Sequence, residues 1–419
     1  MAAASAEQVV PRPRLKDVAL LAYLLACGLV APASAAELPL GPRSLEERRA
    51  TRVLAAGVAF TAITRSGPGG GPWRVRVLQV EAPARLDSVL SNGVVPGRET
   101  VTSMALRARA VAAVNGGFFG SRGVFDGDPI GALAVGGRLV SEPVARRAAL
   151  VLPAVASRTP AAVAGLRFAG SVRIGRRRRL LDGVNRARGL IPSCGGRGGD
   201  LPAERPGAAT VCSDPSELVM LSPDFGTRTR TPNEGGGVEA IVRRGVVARV
   251  RRAGNSPIPP DGYVLTGSGD AASFLRDAAF PGASVALGLD LRAGRRLLVP
   301  GSYGAIVGGG PRLLRAGRIR IPGPAEGFSA GFAARNPRTL AGIAGDGDVL
   351  LVTVDGRQRR SVGVTLVEAA RLMRSLGARD ALNLDGGGST AMAVGSRLAN
   401  TPSEGVQRPA ADAIVVLAG

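Results

Sequence analysis

The chain has 419 residues, 45% of them hydrophobic and only 3% aromatic, and carries a formal net charge of +22. It holds no histidine, which excludes Ser-His-Asp triads, Cys-His pairs and His-containing zinc sites. Any hydrolysis must therefore run on carboxylates, hydroxyls, backbone donors or arginine. The charge is arginine except for Lys16, and no aromatic residue interleaves the run at 176–179, so it predicts no specific nucleic-acid binding, only weak attraction to anionic polymers or envelope.

Arg12, Arg14 and Lys16 precede an apolar run from Val18 to Val30, followed by Ala33, Ser34 and Ala35. That is the order of a signal peptide over 1–35, cleaved after Ala35. It predicts a secreted, periplasmic or cell-envelope protein that meets the membrane only through this segment. The run is shorter than the roughly twenty residues of a membrane span; a retained anchor or a lipoprotein signal at Cys27 are the alternatives. Removal of the segment leaves Cys194 and Cys212, read as one disulfide stapling a Gly/Pro-rich insertion near 190–215, with two unpaired cysteines as the alternative.

Residues 36–71 are arginine-rich and end in Gly-Pro-Gly-Gly-Gly, predicting a pro-region or linker with one strand near 58–63. A domain over 72–419 follows. W-R-V-R-V at 73–77 alternates as a strand, a helix is expected over 101–109, and a strand at 110–114 leads into N-G-G-F-F. The stretch 138–230 reads as irregular, and turn-separated strands occupy 238–310. Further on, strands at 339–345 and 348–354 flank the turn Gly345-Asp346-Gly347. Thr365 and Glu368 form a capping box before an apolar-periodic helix over 366–376 that stops at Gly377. A strand then runs into Asp385, and A-I-V-V-L ends the pattern at 413–417. Strands with interspersed helices and no β-α-β alternation predict an α+β fold of mixed or antiparallel sheets in a single large catalytic domain.

The sharpest motif is A-L-N-L-D-G-G-G-S-T-A-M at 381–392. An apolar strand ends on Asp385, and Gly386, Gly387 and Gly388 must turn sharply, exposing backbone N–H groups as an anion nest to which Ser389 and Thr390 add donors. A tight loop with glycines chosen for positive φ is the plainer alternative. Asn115 and Gly116 end another strand in the same manner. Arg335-Asn336-Pro337-Arg338 sets two arginines and an amide at a strand start, suited to forked contact with phosphate or carboxylate. Asp355-Gly356 ends a further strand, Asn400 to Gly405 leads to Arg408, and Asp346 with Asp348 could place oxygen ligands around Ca²⁺; no other cofactor is called for.

Taken in order, V-N-G-G-F-F, G-G-G-P at 308–311, N-P-R-T at 336–339, V-D-G-R at 354–357, S-V-G-V-T-L at 361–366, N-L-D-G-G-G-S-T and N-x-P-S-E-G resemble the phosphodiester glycosidase family. The resemblance runs from about Trp73 to Leu417 and implies hydrolysis of a sugar-1-phosphodiester at its C1–O bond. On that footing Asp385 is the expected base or nucleophile, with Asp355 and then Asp346 as second carboxylates. Gly386, Gly387, Gly388, Ser389, Arg335 and Arg338 would hold phosphate, Asn115 would bind sugar hydroxyls, and Gly116, Asn336, Thr390 and Arg408 complete the substrate-binding set. The partner is a carbohydrate phosphodiester or polysaccharide; an exopolysaccharide or cell-envelope glycan hydrolase, or a non-catalytic polysaccharide-binding protein, is the alternative.

Overall fold

Every residue of Val349–Val354 is buried, and the sheet around that strand explains why. The structure, a computed structural model, describes residues 37–419 except 122, 124–125, 145–146, 158, 193–200, 203–210 and 233–236. The expected signal peptide and Cys194 lie outside the described residues; Cys212 is buried and disulfide-bonded.

An eight-stranded antiparallel sheet orders its strands as Glu46–Ala55, Val58–Gly67, Gly70–Val80, Val349–Val354, Arg338–Ala344, Ala378–Asn383, Arg312–Arg315 and Arg318–Ile319. Successive side chains leave by opposite faces. Val75, Val77, Leu340, Leu350, Val352 and Val354 pack toward the helix Leu366–Ser375, whereas Leu78, Val80, Ala341, Leu351 and Leu382 enter the central core. With both faces covered, the strands read as nearly continuous apolar runs.

The helix Leu366–Ser375 buries Leu366, Ala369, Ala370, Leu372 and Met373 and starts on the expected capping box. Thr365 Oγ1 accepts the Glu368 N–H at 3.2 Å, and Glu368 Oε2 accepts the Thr365 N–H at 2.8 Å. Glu368 is thus a helix cap. Two other α-helices occur among the described residues, Val101–Arg107 and Gly269–Ala278.

A five-stranded sheet, ordered Arg397–Leu398, Met392–Val394, Ala112–Asn115, Asp412–Leu417 and Arg85–Leu90, abuts the first. Pairing is antiparallel apart from Gly183–Val184 with Leu218–Leu221. The fold is therefore strand-rich, with its few helices interspersed. The stretch 138–230 is more regular than its sequence suggested: Ala162–Ile174 spans thirteen residues, of which 166–174 pair with Val285–Ala293 and 162–165 with Ala148–Leu152. Alanine and glycine recur along it, and their small side chains blur the period-2 pattern.

The structure also corrects the linker reading of 36–71. Residues 46–67 are two sheet strands, and Leu38, Leu40 and Leu45 are core residues. Arg65 is buried, donating to the Leu40 and Pro42 carbonyls at 2.8 and 2.9 Å and to Glu47 at 3.1 Å. The misleading arginines Arg48 and Arg52 sit exposed on the edge strand Glu46–Ala55, where charge guards an unpaired edge and composition resembles that of a linker. Leu40→Ala is expected to cost about 2–4 kcal/mol, as for a fully packed leucine. A urea-unfolding free energy changed by less than about 0.5 kcal/mol would instead mark a surface segment.

Candidate active site

Asp385 stands where the two sheets meet. Its N–H donates to the Gly116 carbonyl at 3.2 Å, and its own carbonyl accepts from Asn115 Nδ2 at 2.8 Å. The other end of that amide, Asn115 Oδ1, accepts from Thr339 Oγ1 at 2.6 Å and from the Ala391 N–H at 3.1 Å. Asn115 is 1% exposed. Both ends of its amide face protein, so it positions Asp385 instead of presenting to sugar hydroxyls, which corrects its expected role.

The anion nest is corrected as well. Gly387–Ser389 winds into a 3-10 turn that uses most of its own donors. The Gly386 N–H donates to Asp385 Oδ1 at 2.9 Å and the Gly387 N–H to the Pro337 carbonyl at 2.9 Å. Those of Ser389 and Thr390 return to the Gly386 and Gly387 carbonyls. The Ser389 hydroxyl hydrogen-bonds the Asp385 carboxyl, while Thr390 Oγ1 is buried without a partner. The turn therefore serves Asp385 directly. Gly387 sits at φ +60°, the left-handed region expected of a tight glycine turn, and a Cβ on Gly388 would come within 2.4 Å of Arg408 Nη2 and Glu404 Oε1.

Asp385 is half-buried, and burial pushes its pKa up to about 6 against the Ser389 and Gly386 hydrogen bonds and the Arg408 charge. The carboxyl that interacts with it is Asp412, which the sequence reading did not single out. Asp412 opens the strand Asp412–Leu417 beside Asn115 and is 1% exposed. Its Oδ1 accepts the Gly117 N–H at 3.0 Å, and its Oδ2 is buried with no partner. A Cβ on Gly116 would lie 1.6 Å from Asp412 Oδ1, so the N-G-G motif leaves room for this second carboxyl. Burial first, then the Asp385 charge, push the Asp412 pKa up to about 7 against the Gly117 hydrogen bond. A glycine pair facing an aspartate at the start of the last apolar strand was the available signal.

The other expected carboxylates are placed elsewhere. Asp355 is buried and accepts from Asn400 Nδ2 at 3.2 Å and the Thr401 N–H at 3.1 Å, anchoring the 400–401 loop. Asp346 lies in the turn at the far end of the hairpin Arg338–Ala344/Val349–Val354, about 20 Å of strand from Arg338 by the rise per residue. There its Oδ1 accepts the Asp348 N–H at 3.0 Å, while Asp348 Oδ2 accepts from Gln79 at 2.8 Å. Among the described residues no group of three or more acidic or cysteine side chains converges as a metal site.

Arginines surround the Asp385 turn. Arg338 is buried, donates to the Phe332 and Ala334 carbonyls at 2.7 Å each, and has its pKa lowered to about 10 by burial and then by Arg357. Arg357 is exposed, donates to Asn336 Oδ1 at 2.7 and 3.0 Å, and would lie 3.4 Å from a Cβ on Gly387. Neither has a carboxylate partner among the described residues. Arg408 pairs with Glu404 over Gly388. Arg335, expected on phosphate, instead binds Glu368 at 2.6 Å and stacks on Trp73, bracing the helix start. Beside Arg338, Phe332 packs with Phe328 and Phe118, centroids 4.7–5.9 Å apart, and Arg147 lies over Phe328.

A carboxylate braced at a sheet seam, with Arg338, Arg357 and Arg408 bordering its glycine turn, is suited to an anionic substrate. The segment carrying Arg338, Arg357, Asp385, Arg408 and Asp412 lies within residues 236–417, which match the model of the phosphodiester glycosidase family. The family resemblance of the motifs is thus shown over that segment. The fold is similar to that of a Burkholderia pseudomallei K96243 protein described as exported, with TM-score 0.79, 28% identity, and 92% of this chain and 99% of that one covered. A hypothetical protein from Synechocystis shares the fold at TM-score 0.69 and 21% identity, over 88% of this chain and 63% of that one. The SPbeta prophage-derived uncharacterized protein YomE of Bacillus subtilis (strain 168) is 37% identical over 87 residues, 21% of this chain and 14% of that protein. The chain thus spans about one seventh of that curated relative.

The carboxyl pair predicts a pH signature. Between about pH 4 and 7 folded Asp412 keeps a proton that an unfolded aspartate has released, so its contribution to stability is complete below about 4 and is lost as pH rises through about 7. Asp412→Asn retains Oδ1 for the Gly117 N–H and removes this slope. Denaturant melts should find the variant more stable than the parent by about 2–4 kcal/mol at pH 8 relative to pH 4; parallel pH curves would sink the assignment.

Proposed function

We propose that the protein, acting outside the cytoplasm, hydrolyses a sugar-1-phosphodiester of the N-acetylglucosamine-1-phosphodiester kind at the C1–O bond. Water supplies the new C1 hydroxyl, the C1–O bond breaks toward phosphate, and free sugar and a phosphomonoester leave. The observation that supports this reading is Asp385 itself: half-buried, fixed by the Asn115 amide and the Gly116 carbonyl, within reach of the Arg408 charge, and in a turn that Arg357 borders at Gly387.

Ionised Asp385 takes the proton of the attacking water or attacks C1 directly. The phosphoryl oxygen that leaves is weakly basic, so a strong general acid on it contributes little. Arg357 and Arg408, both reached by solvent, neutralise the phosphate, and Arg338, held by backbone carbonyls beneath the turn, adds its charge without touching substrate. Asp412 is too buried to touch substrate and acts through Asp385: between about pH 6 and 7 Asp385 is ionised while Asp412 keeps its proton, so one negative charge faces an anionic substrate, and below about 6 the base itself is protonated. Hydrolysis of an ordinary glycosidic linkage is less well supported, because it requires a protonated acid at the leaving oxygen, and the carboxyl that holds its proton is sealed behind Gly116 and Gly117.

The mature protein incubated with an N-acetylglucosamine-1-phospho-sugar diester should release sugar and phosphomonoester, and Asp385→Asn should lower kcat by about 10²–10⁴. KM should rise above pH 7 as Asp412 ionises, and Asp412→Asn should abolish that rise while Arg357→Ala raises KM at every pH. An inactive parent with an intact circular-dichroism spectrum would remove this substrate. A pH-independent KM would remove the role given to Asp412.

A further inference from the structure

The hairpin Arg312–Arg315/Arg318–Ile319 forms the edge of the large sheet, and a cleft of about 770 Å³ opens along it. Arg312, Arg315, Arg318 and Arg320 line it together with Ile321 and Pro322. Arg312 is held by Asp380 at 3.6 Å and by the Val163 carbonyl at 3.0 Å. Arg315, Arg318 and Arg320 are exposed and have no carboxylate partner among the described residues. Charge on an edge strand is commonly a guard against edge-to-edge pairing, and scattered surface arginine would satisfy that need. Three unpaired guanidiniums sharing one concave surface with a fourth repel each other, and Arg315 acts on Arg312 in that sense. An anion in the cleft relieves this repulsion.

The cleft has a definite relation to Asp385. Arg312 pairs with Leu382, and the Gly310 N–H donates to the Asn383 carbonyl at 2.7 Å. The groove therefore begins about three strand residues, or roughly 10 Å, from Asp385 and runs about 10 Å farther toward the hairpin turn. Glu326, which accepts from the Arg312 N–H at 3.2 Å, leads directly to Phe328 of the aromatic cluster.

We propose that the arginine groove is a set of remote subsites for a polyanionic glycan whose repeats are joined by glycosyl phosphodiesters, so that the substrate of the Asp385 site is a polymer. This inference rests on the phosphodiester reading above for its chemistry, and on the groove alone for binding. Successive phosphates lie along Arg312, Arg315, Arg318 and Arg320 while one linkage reaches Asp385.

The test uses Arg315→Ala/Arg318→Ala/Arg320→Ala, which leaves Arg312 and its Asp380 contact in place. Binding is measured calorimetrically on an Asp385→Asn background, with and without the triple change, using a soluble glycosyl-phosphate polymer, a neutral dextran and inorganic polyphosphate. The triple variant should weaken polymer binding about tenfold or more, since three charge-assisted contacts are lost, and added salt should narrow the difference. Dextran should not bind. In the Asp385 parent, the triple change should raise KM for the polymer and leave hydrolysis of the minimal diester unchanged. Equal polymer binding with and without the arginines overturns the proposal, and so does polyphosphate binding as tightly as the glycan. Arginine-dependent polymer binding by a parent that cleaves no phosphodiester would overturn the catalytic reading and leave the groove standing.

Discussion

One buried amide joins the two sheets on which the candidate site depends. Asn115 ends a strand of the five-stranded sheet, and its side chain bonds the Asp385 backbone, the Thr339 hydroxyl and the Ala391 N–H. Thr339 and the strand leading to Asp385 belong to the eight-stranded sheet. A buried amide with both ends satisfied tolerates little displacement, because sliding either sheet would leave a polar group unpaired at a cost of about 1–3 kcal/mol. The position of Asp385 is thereby tied to the packing of the whole molecule rather than to its loop.

That rigidity gives meaning to the electrostatics. In a chain without histidine, a carboxyl that titrates near neutrality must be made by burial. Asp412 is such a group, shielded by Gly116 and Gly117 and facing the charge of Asp385. The positive side is supplied by guanidiniums, which stay charged across the working range. Arg338 and Arg357 are kept close by contacts with backbone carbonyls and an amide, not by acids that would cancel them.

Much of this was readable in the sequence where a local pattern had one cause. The capping box at Thr365 and Glu368, the helix after it, the hairpin around Asp346 and the strand into Asp385 each follow from spacing alone. Residues whose surroundings depend on distant partners were less legible. Asn115, Asp355 and Arg335 carry the polar chemistry expected of a site, yet each satisfies backbone or a neighbouring side chain. Asp412 looked like an ordinary residue before an apolar strand, because its significance lies in the glycines that face it across the sheet. The edge strand Glu46–Ala55 looked like a linker for a related reason: an edge satisfies few neighbours, so its composition is free.

The contacts that complete the site span long stretches of chain. Asn115 reaches Asp385 across 270 residues, and Gly117 reaches Asp412 across 295. Such non-local pairings form late, after the entropy of closing large loops has been overcome. Until the Asp412 strand threads between Ala112–Asn115 and Arg85–Leu90, Asp385 lacks its buried carboxyl neighbour. The topology thus ties assembly of the candidate site to the closing of the sheet, since the contact between Gly117 and Asp412 exists only once that strand is paired.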